Sequence, residues 1–449
     1  MILVASYIFL GFNQPHLKFG PISLPLPCVV LATSIVGNFL FTKLMMSQES
    51  LKAKKIVLTF AISANVALLG YFKYRNFFVE QAHNVLGDAI PIPRLTSLII
   101  PIAISFFTFQ AISYLVDCYR GTIEKISFID LAVYLSFFPH LVAGPIVRAA
   151  EFVPQMRNPI NPRAVETNRA AVLIARGLFK KMIIADLLYT QIVRPAFGAP
   201  SKLGAFDAIT AVYAYSAQLY CDFSGYTDIA IGIALMLGFK FPENFNRPYT
   251  ATSLQDFWQR WHMTLSRWLR DYVYIPLGGN RRSFLGFRKL VALNVIITMA
   301  IGGLWHGANT TFVVWGLYMG VMLVIERGLR NFNERHNIEV PAWVRRLLTF
   351  HIVTFSWVIF ASESMSNVKI MIGRIFSGFS APPTLLSVSV VVLILCGILI
   401  QGIPKTYTTR ITTFVNTRPL LMQAAIFGIG LMLLSAFSGT ISAFVYGFF

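Results

Sequence analysis

"IGGLWHGANTTFVVWG", Ile301 to Gly316, decides how this chain is read. From Leu290 to Arg327 the only formal charges are Glu326 and Arg327, at the far end. Inside this apolar stretch stand Trp305, His306 and Asn309, with Gly302, Gly303 and Gly307 around them. Residues 290–325 are too many for one straight crossing. Each half is shorter than the ~20 residues a helix needs to span a bilayer core. The joint therefore falls below the membrane surface. Non-helical backbone is tolerated there only against protein or a water-filled cavity. The glycines permit a turn and a close backbone approach. The reading places His306 at a bend within the membrane, lining a cavity.

The rest of the chain agrees with that environment. Of 449 residues, 56% are apolar and only 13% charged, against about a quarter charged in a soluble domain. Apolar runs fall near 1–12, 22–45, 56–72, 95–117, 129–147, 170–193, 205–239, 290–304, 309–326, 345–361, 384–403 and 419–448. They predict an all-α, multi-pass membrane protein with ten to twelve crossings or partial crossings, some broken or re-entrant. Neither an internal repeat nor a soluble domain stands out, so residues 1–449 are read as one integral membrane domain. "MILVASYIFLGF" lacks the basic start and small-residue cleavage site of a signal peptide.

The net charge of +19 has its lysines and arginines between apolar runs. That is the pattern of loops held on the cytoplasmic side, seen best in 43–55 and 240–289. Nucleic acid is not an expected partner; the lipid bilayer is. Cys28, Cys118, Cys221 and Cys396 are far apart, with no metal-ligand spacing and no disulfide framework, so no metal site is expected.

"SLQDFWQRWHMTLSRWLRDYVYIPLGGN", Ser253 to Asn280, is the most patterned stretch. At 100° per residue, Phe257, Trp258, Trp261, Leu265, Trp268, Leu269 and Tyr272 share one arc of roughly 120°. Arg260, Arg267 and Asp271 point away, and His262 lies at the edge of the arc. The expectation is an amphipathic helix over 253–280 lying in the membrane interface, its indoles at headgroup depth. Arg260, Arg267 and Arg270 then either meet phosphates of an anionic substrate or snorkel to lipid headgroups.

Further along the chain, 208–239 is interrupted by "CDFSGYTD". Asp222 and Asp228 are intramembrane carboxylates, each costing about 2.5–3.5 kcal/mol at the bilayer centre if left alone. They serve either to bond broken backbone or to act as a proton relay or substrate contact. A single helix here is ~48 Å long, so it must tilt, break at Gly225 or form two pieces.

Seven histidines are present, of which His306 and His262 stand in suggestive places. An imidazole titrates near neutrality and can take the proton of an attacking hydroxyl. For His306 the residues alone leave two readings: a general base, or a buried histidine bonded to a carbonyl at a helix break. His262 reads first as an interfacial aromatic. Trp305, Asn309 and Trp261, beside the two histidines, are candidates for substrate or tunnel contact. "FFPHLVAGPIVR", Phe137 to Arg148, has Pro139, Gly144 and Pro145 to break a helix and reads as architecture. "HNVLGD", His83 to Asp88, has an H-x₄-D spacing in what reads as a polar loop, and no matching second block. There is no G-x-S-x-G elbow, H-E-x-x-H pair or Walker loop.

Four blocks in order, "FFPHLVAGPIVR", "YCDFSGYTDIAIGIALMLGF", "NFNRPYTATSLQDFWQRWHMTLSRWLRDYVYIPLGGN" and "GGLWHGANTTFVVWG", closely resemble the membrane-bound O-acyltransferase family, in its bacterial alginate O-acetylation branch. The motif-bearing core runs over about 95–330. The resemblance implies a helical fold around a central tunnel, His306 as the active-site histidine and His262 as its second polar residue. It implies transfer of an acetyl group from a cytoplasmic thioester, acetyl-CoA or an acyl-carrier protein, toward an extracytoplasmic polysaccharide, with no bound cofactor. A separate extracytoplasmic acetyltransferase often completes that transfer, and the expected location is a bacterial inner membrane. Family members usually begin one hydrophobic segment earlier than this sequence does. The alternatives are a proton-coupled transporter or flippase for polysaccharide or lipid-linked sugar, using Asp222, Asp228 and His306, and a non-catalytic scaffold of a secretion complex.

Overall fold

The structure is a computed structural model describing residues 1–12, 14–19, 22–87, 98–158, 161–281 and 291–437. It is helical almost throughout, with one two-stranded hairpin among the described residues. The chain read as one membrane domain groups into two compact units, Met1–Ala164 and Val165–Phe449.

The first unit holds α1 (Ile2–Gly11), the hairpin β1 (His16–Phe19) and β2 (Ile22–Pro25), α2 (Leu26–Met46), α3 (Leu51–Leu69), α4 (Arg75–Leu86), α5 (Ile104–Tyr119), α6 (Phe128–Ser136), α7 (Phe138–Leu141) and α8 (Ala149–Arg157). A π-helical turn, Gly70–Tyr74, joins α3 to α4. Asn38 of α2 and Asn65 of α3, both buried, exchange amide hydrogen bonds of 3.1 and 2.8 Å. Polar pairs of this kind hold helices together where lipid offers no competing partner. In "FFPHLVAGPIVR" the expected break is present: α7 is one turn, and His140, fully buried, bonds through Nε2 to the Tyr134 carbonyl at 3.0 Å. His83 lies on α4 and not in a polar loop, while Asp88 falls outside the described residues.

The second unit continues with α9 (Thr167–Leu178), a π-helical Phe179–Ala185, α10 (Asp186–Leu188), a second π-helical stretch Tyr189–Val193, α11 (Arg194–Gly198), α12 (Ala205–Met236), α13 (Leu254–Trp258), α14 (Met263–Leu269), α15 (Val291–His306), α16 (Thr310–Arg335), α17 (Ala342–Ala361), α18 (Met365–Phe376), α19 (Val388–Leu399), α20 (Lys405–Asn416) and α21 (Leu420–Phe437). α12 is its axis, packed by α9, α17, α18 and α19. It is one unbroken helix of 32 residues, so Gly225 does not interrupt it. The missing side chain serves packing instead: a Cβ on Gly225 would stand 2.8 Å from the carbonyl oxygen of Gly177 on α9.

Among the described residues, five helical stretches are long and apolar enough to cross a membrane alone, and six if the bent pair Val388–Gly402 and Thr406–Asn416 counts as one. The five are α2, the run Leu51–Leu86, α16, α17 and α21. The other apolar segments expected as crossings or partial crossings are shorter helices such as α1 and α15, or carry charge, as α12 does with Asp207, Asp222 and Asp228.

Candidate active site

The deciding stretch folds as a helical hairpin. α15 ends on His306, residues 307–309 turn, and α16 starts at Thr310. A Cβ on Gly303 would collide with the carbonyl oxygen of Phe312, and its next contacts are the backbone of Gly316, 3.1 Å away. The two helices can meet this closely only because both positions lack side chains. Asn309 caps α16, accepting from the Thr311 amide at 3.0 Å and donating to the Glu363 carbonyl at 2.8 Å. Its side chain is thus spent on backbone.

This hairpin places His306 inside the unit, 3% exposed. Trp305, Trp315 and Phe360 lie edge-on to the imidazole, with ring centroids 5.0, 5.3 and 5.2 Å away. Trp315 is held in turn by a 3.2 Å hydrogen bond from Nε1 to Ser356 Oγ and by stacking on Trp357.

The amphipathic pattern of 253–280 does not make one interfacial helix. α13 ends at Trp258, His262 precedes α14 in a left-handed conformation with φ +42°, and the chain widens into a π turn at Arg270–Tyr274. Most of the aromatic arc packs into the protein core. Phe257, Trp261, Leu265, Trp268 and Leu269 are buried, and Trp261 packs against Tyr249, Phe257 and Trp357. A one-dimensional pattern fixes which face is apolar and leaves open whether lipid or protein covers it.

The break gives His262 a defined setting. It is fully buried, with Phe223 of α12 edge-on at 4.7 Å and Trp305 at 5.8 Å. Trp305 therefore touches both histidines. Asn244, buried in the loop after α12, puts its Oδ1 3.2 Å from His262 Nδ1. The same oxygen accepts from the Thr264 amide at 3.1 Å and the Thr264 hydroxyl at 2.8 Å. A backbone N–H only donates, so this atom is the carbonyl oxygen and His262 Nδ1 must carry the proton. Nε2 then holds the lone pair. Asn244 opens the block "NFNRPY", and no spacing along the chain marks it as a partner of His262.

Asp222 and Asp228 sit in a balanced cluster of charge. Asp228 pairs with Arg176 and, at 2.7 Å, with Lys180. Lys181 bridges Asp222 at 2.7 Å and Asp186 at 2.8 Å. A π-helical stretch advances less per residue around its axis than an α-helix does. Both consecutive lysines thereby reach toward α12. Arg260 pairs with Asp256 at 2.6 Å, and Arg267 is half-buried on α14.

Residues 118–367, which contain both histidines, Asn244 and the charge cluster, match the membrane-bound O-acyltransferase family. The chain belongs to that family. Relatives of this membrane-bound O-acyltransferase include a probable alginate O-acetylase AlgI of Pseudomonas syringae pv. tomato, 37% identical over 379 residues, 84% of this chain and 70% of the relative. A peptidoglycan O-acetyltransferase of Helicobacter pylori is 37% identical over 83% of this chain and 73% of its own. A teichoic acid D-alanyltransferase of Bacillus subtilis is 30% identical over 60% of this chain and 70% of its own. The O-acyltransferase is thus a multi-pass membrane enzyme whose matched region carries two buried imidazoles around one indole.

Proposed function

We propose that this O-acyltransferase moves an acetyl group from a cytoplasmic thioester, acetyl-CoA or an acyl-carrier protein, toward an extracytoplasmic polysaccharide, with His306 as general base. The observation that carries the reading is the position of His306: at a helix break, deep in the unit, sharing Trp305 with His262. The names of the relatives support acetyl as the group and a polymer as the acceptor.

In this reading a hydroxyl loses its proton to His306 as its oxygen attacks the thioester carbonyl. The tetrahedral intermediate collapses with cleavage of the C–S bond, and the departing thiolate takes the proton. A positioned imidazole contributes typically 10²–10⁴ in rate. His262, whose Nε2 holds a lone pair, accepts a hydrogen bond from a hydroxyl of the acceptor from the other side of Trp305. Because His306 is 3% exposed, the reading requires a passage to open to it. The acceptor is the polymer itself or a separate extracytoplasmic acetyltransferase that completes the transfer, and the membrane is the bacterial inner membrane. The transporter alternative needs titrating Asp222 and Asp228, yet both are closed by cations.

Purified protein in sealed vesicles, given acetyl-labelled coenzyme A on one side and polysaccharide on the other, tests this. Label on the polymer, dependent on His306, is the expected result. Gradient-driven sugar flux with no loss of acetyl from the donor overturns it.

A further inference from the structure

At the polar end of α16 lies a cavity of about 490 Å³. One wall is apolar, made by Val295 of α15 with Leu323 and Val324 of α16. The rim carries three guanidinium groups, those of Arg270, Arg327 and Arg330. Arg270 is neutralised by Asp271 at 2.7 Å. Arg327 and Arg330 rest instead on neutral amide oxygens, Asn280 Oδ1 at 3.2 Å and Gln255 Oε1 at 3.1 Å. Among the described residues the carboxylate that lines the cavity is Glu326, which accepts the Leu254 amide at the start of α13 at 2.6 Å and lies within electrostatic reach of Arg330. Among the described residues three guanidinium groups thus face two carboxylates, Asp271 and Glu326, which leaves the rim a surplus of positive charge.

α16 is one of the helices long and apolar enough to cross the membrane. Leu323 and Val324 precede Arg327 by about one helical turn, a rise of ~5 Å. That is the arrangement an amphiphile needs, with cations at headgroup level and an apolar wall just inside. A guanidinium binds phosphate with two parallel hydrogen bonds and gives up its hydration more readily than an ammonium does. Basic pockets between membrane helices bind lipid headgroups by this chemistry.

We propose that this cavity binds the phosphate of an anionic phospholipid through Arg327 and Arg330, with the first methylenes of an acyl chain against Val295, Leu323 and Val324. A free phosphate has no use for the apolar wall, which is why lipid is the source assigned. The site is separate from the histidine pair and does not rest on the proposed reaction.

Native mass spectrometry of the full chain in detergent tests this, titrating phosphatidylglycerol and phosphatidylcholine separately, and inorganic phosphate and coenzyme A in parallel arms. Saturable binding that prefers phosphatidylglycerol is expected. Arg327→Gln and Arg330→Gln should each weaken it about fivefold, the effect of one cation at the membrane surface. Arg345→Gln, exposed on α17, should leave it unchanged, and a thermal melt of each variant separates lost binding from lost folding. Equal binding of the two lipids, or unaltered affinity in the folded double variant, overturns the site. Binding of phosphate or coenzyme A at the same arginines without lipid preference overturns the lipid assignment.

Discussion

Asn244 offers His262 a single carbonyl oxygen, 3.2 Å from Nδ1, and that contact settles which imidazole nitrogen carries the proton. The assignment follows from the Thr264 amide, a pure donor on the same oxygen. A loop residue 18 positions before the histidine thus sets its tautomer.

Asn244→Ala would strip an acceptor from three buried donors: His262 Nδ1–H, the Thr264 amide and the Thr264 hydroxyl. Each buried group left unsatisfied costs about 1–3 kcal/mol. The melting temperature should fall, and acetyl transfer per folded molecule should drop at least about tenfold, within the range of a misplaced catalytic group. Asn244→Asp, which keeps the acceptor, should retain the fold better. Wild-type transfer and melting in Asn244→Ala would remove Asn244 from the site.

His306→Ala should abolish acetylation of exported polymer, a loss on the order of 10²–10⁴, while the protein still inserts. The readout is polymer acetyl content beside the amount of protein in the membrane fraction. Normal acetyl content with normal protein would show that His306 is a structural histidine at a helix end.

Asp228→Asn removes the carboxylate shared by Arg176 and Lys180 and leaves two cations with reduced compensation. Breaking a buried pair costs about 3–5 kcal/mol, whereas replacing a whole pair by apolar groups is far milder. The prediction is poor yield for Asp228→Asn and recovery when Arg176→Met and Lys180→Met are both added to Asp228→Leu. A proton relay would behave differently, giving folded Asp228→Asn protein without activity.

Gly303→Val should separate α15 from α16, since even a Cβ there meets the Phe312 carbonyl. Overpacking of this kind costs about 1–3 kcal/mol and moves backbone. Gly37→Val on α2, where a Cβ meets nothing within 4 Å, is the control that should remain folded. Equal thermal stability of the two variants would show that the hairpin seam is loose.

Asn309→Ala should cost about 1 kcal/mol, the usual loss for a helix cap, and leave transfer per folded molecule unchanged. Loss of transfer in stable protein would return Asn309 to the substrate contacts.

Much of this protein can be read along its chain. Apolar runs too long for soluble structure and too short for two crossings require the break before Asn309, because buried backbone must be satisfied or covered. Four motif blocks in order carried the family, and the family match includes all four. The break in "FFPHLVAGPIVR" followed from Pro139, Gly144 and Pro145. What the chain order withholds is who covers a face. The arc from Phe257 to Tyr272 is apolar by periodicity, yet only tertiary packing put Trp261 against Tyr249 and Trp357 and broke the expected single helix in two. Asp222 and Asp228 read as costly charges, and only the π-helical stretch at Phe179–Ala185 brought Lys180 and Lys181 across to them. Periodicity is a property of one element. Burial, pairing and the tautomer of His262 belong to contacts between elements distant in sequence, and these exist only once the chain has closed on itself.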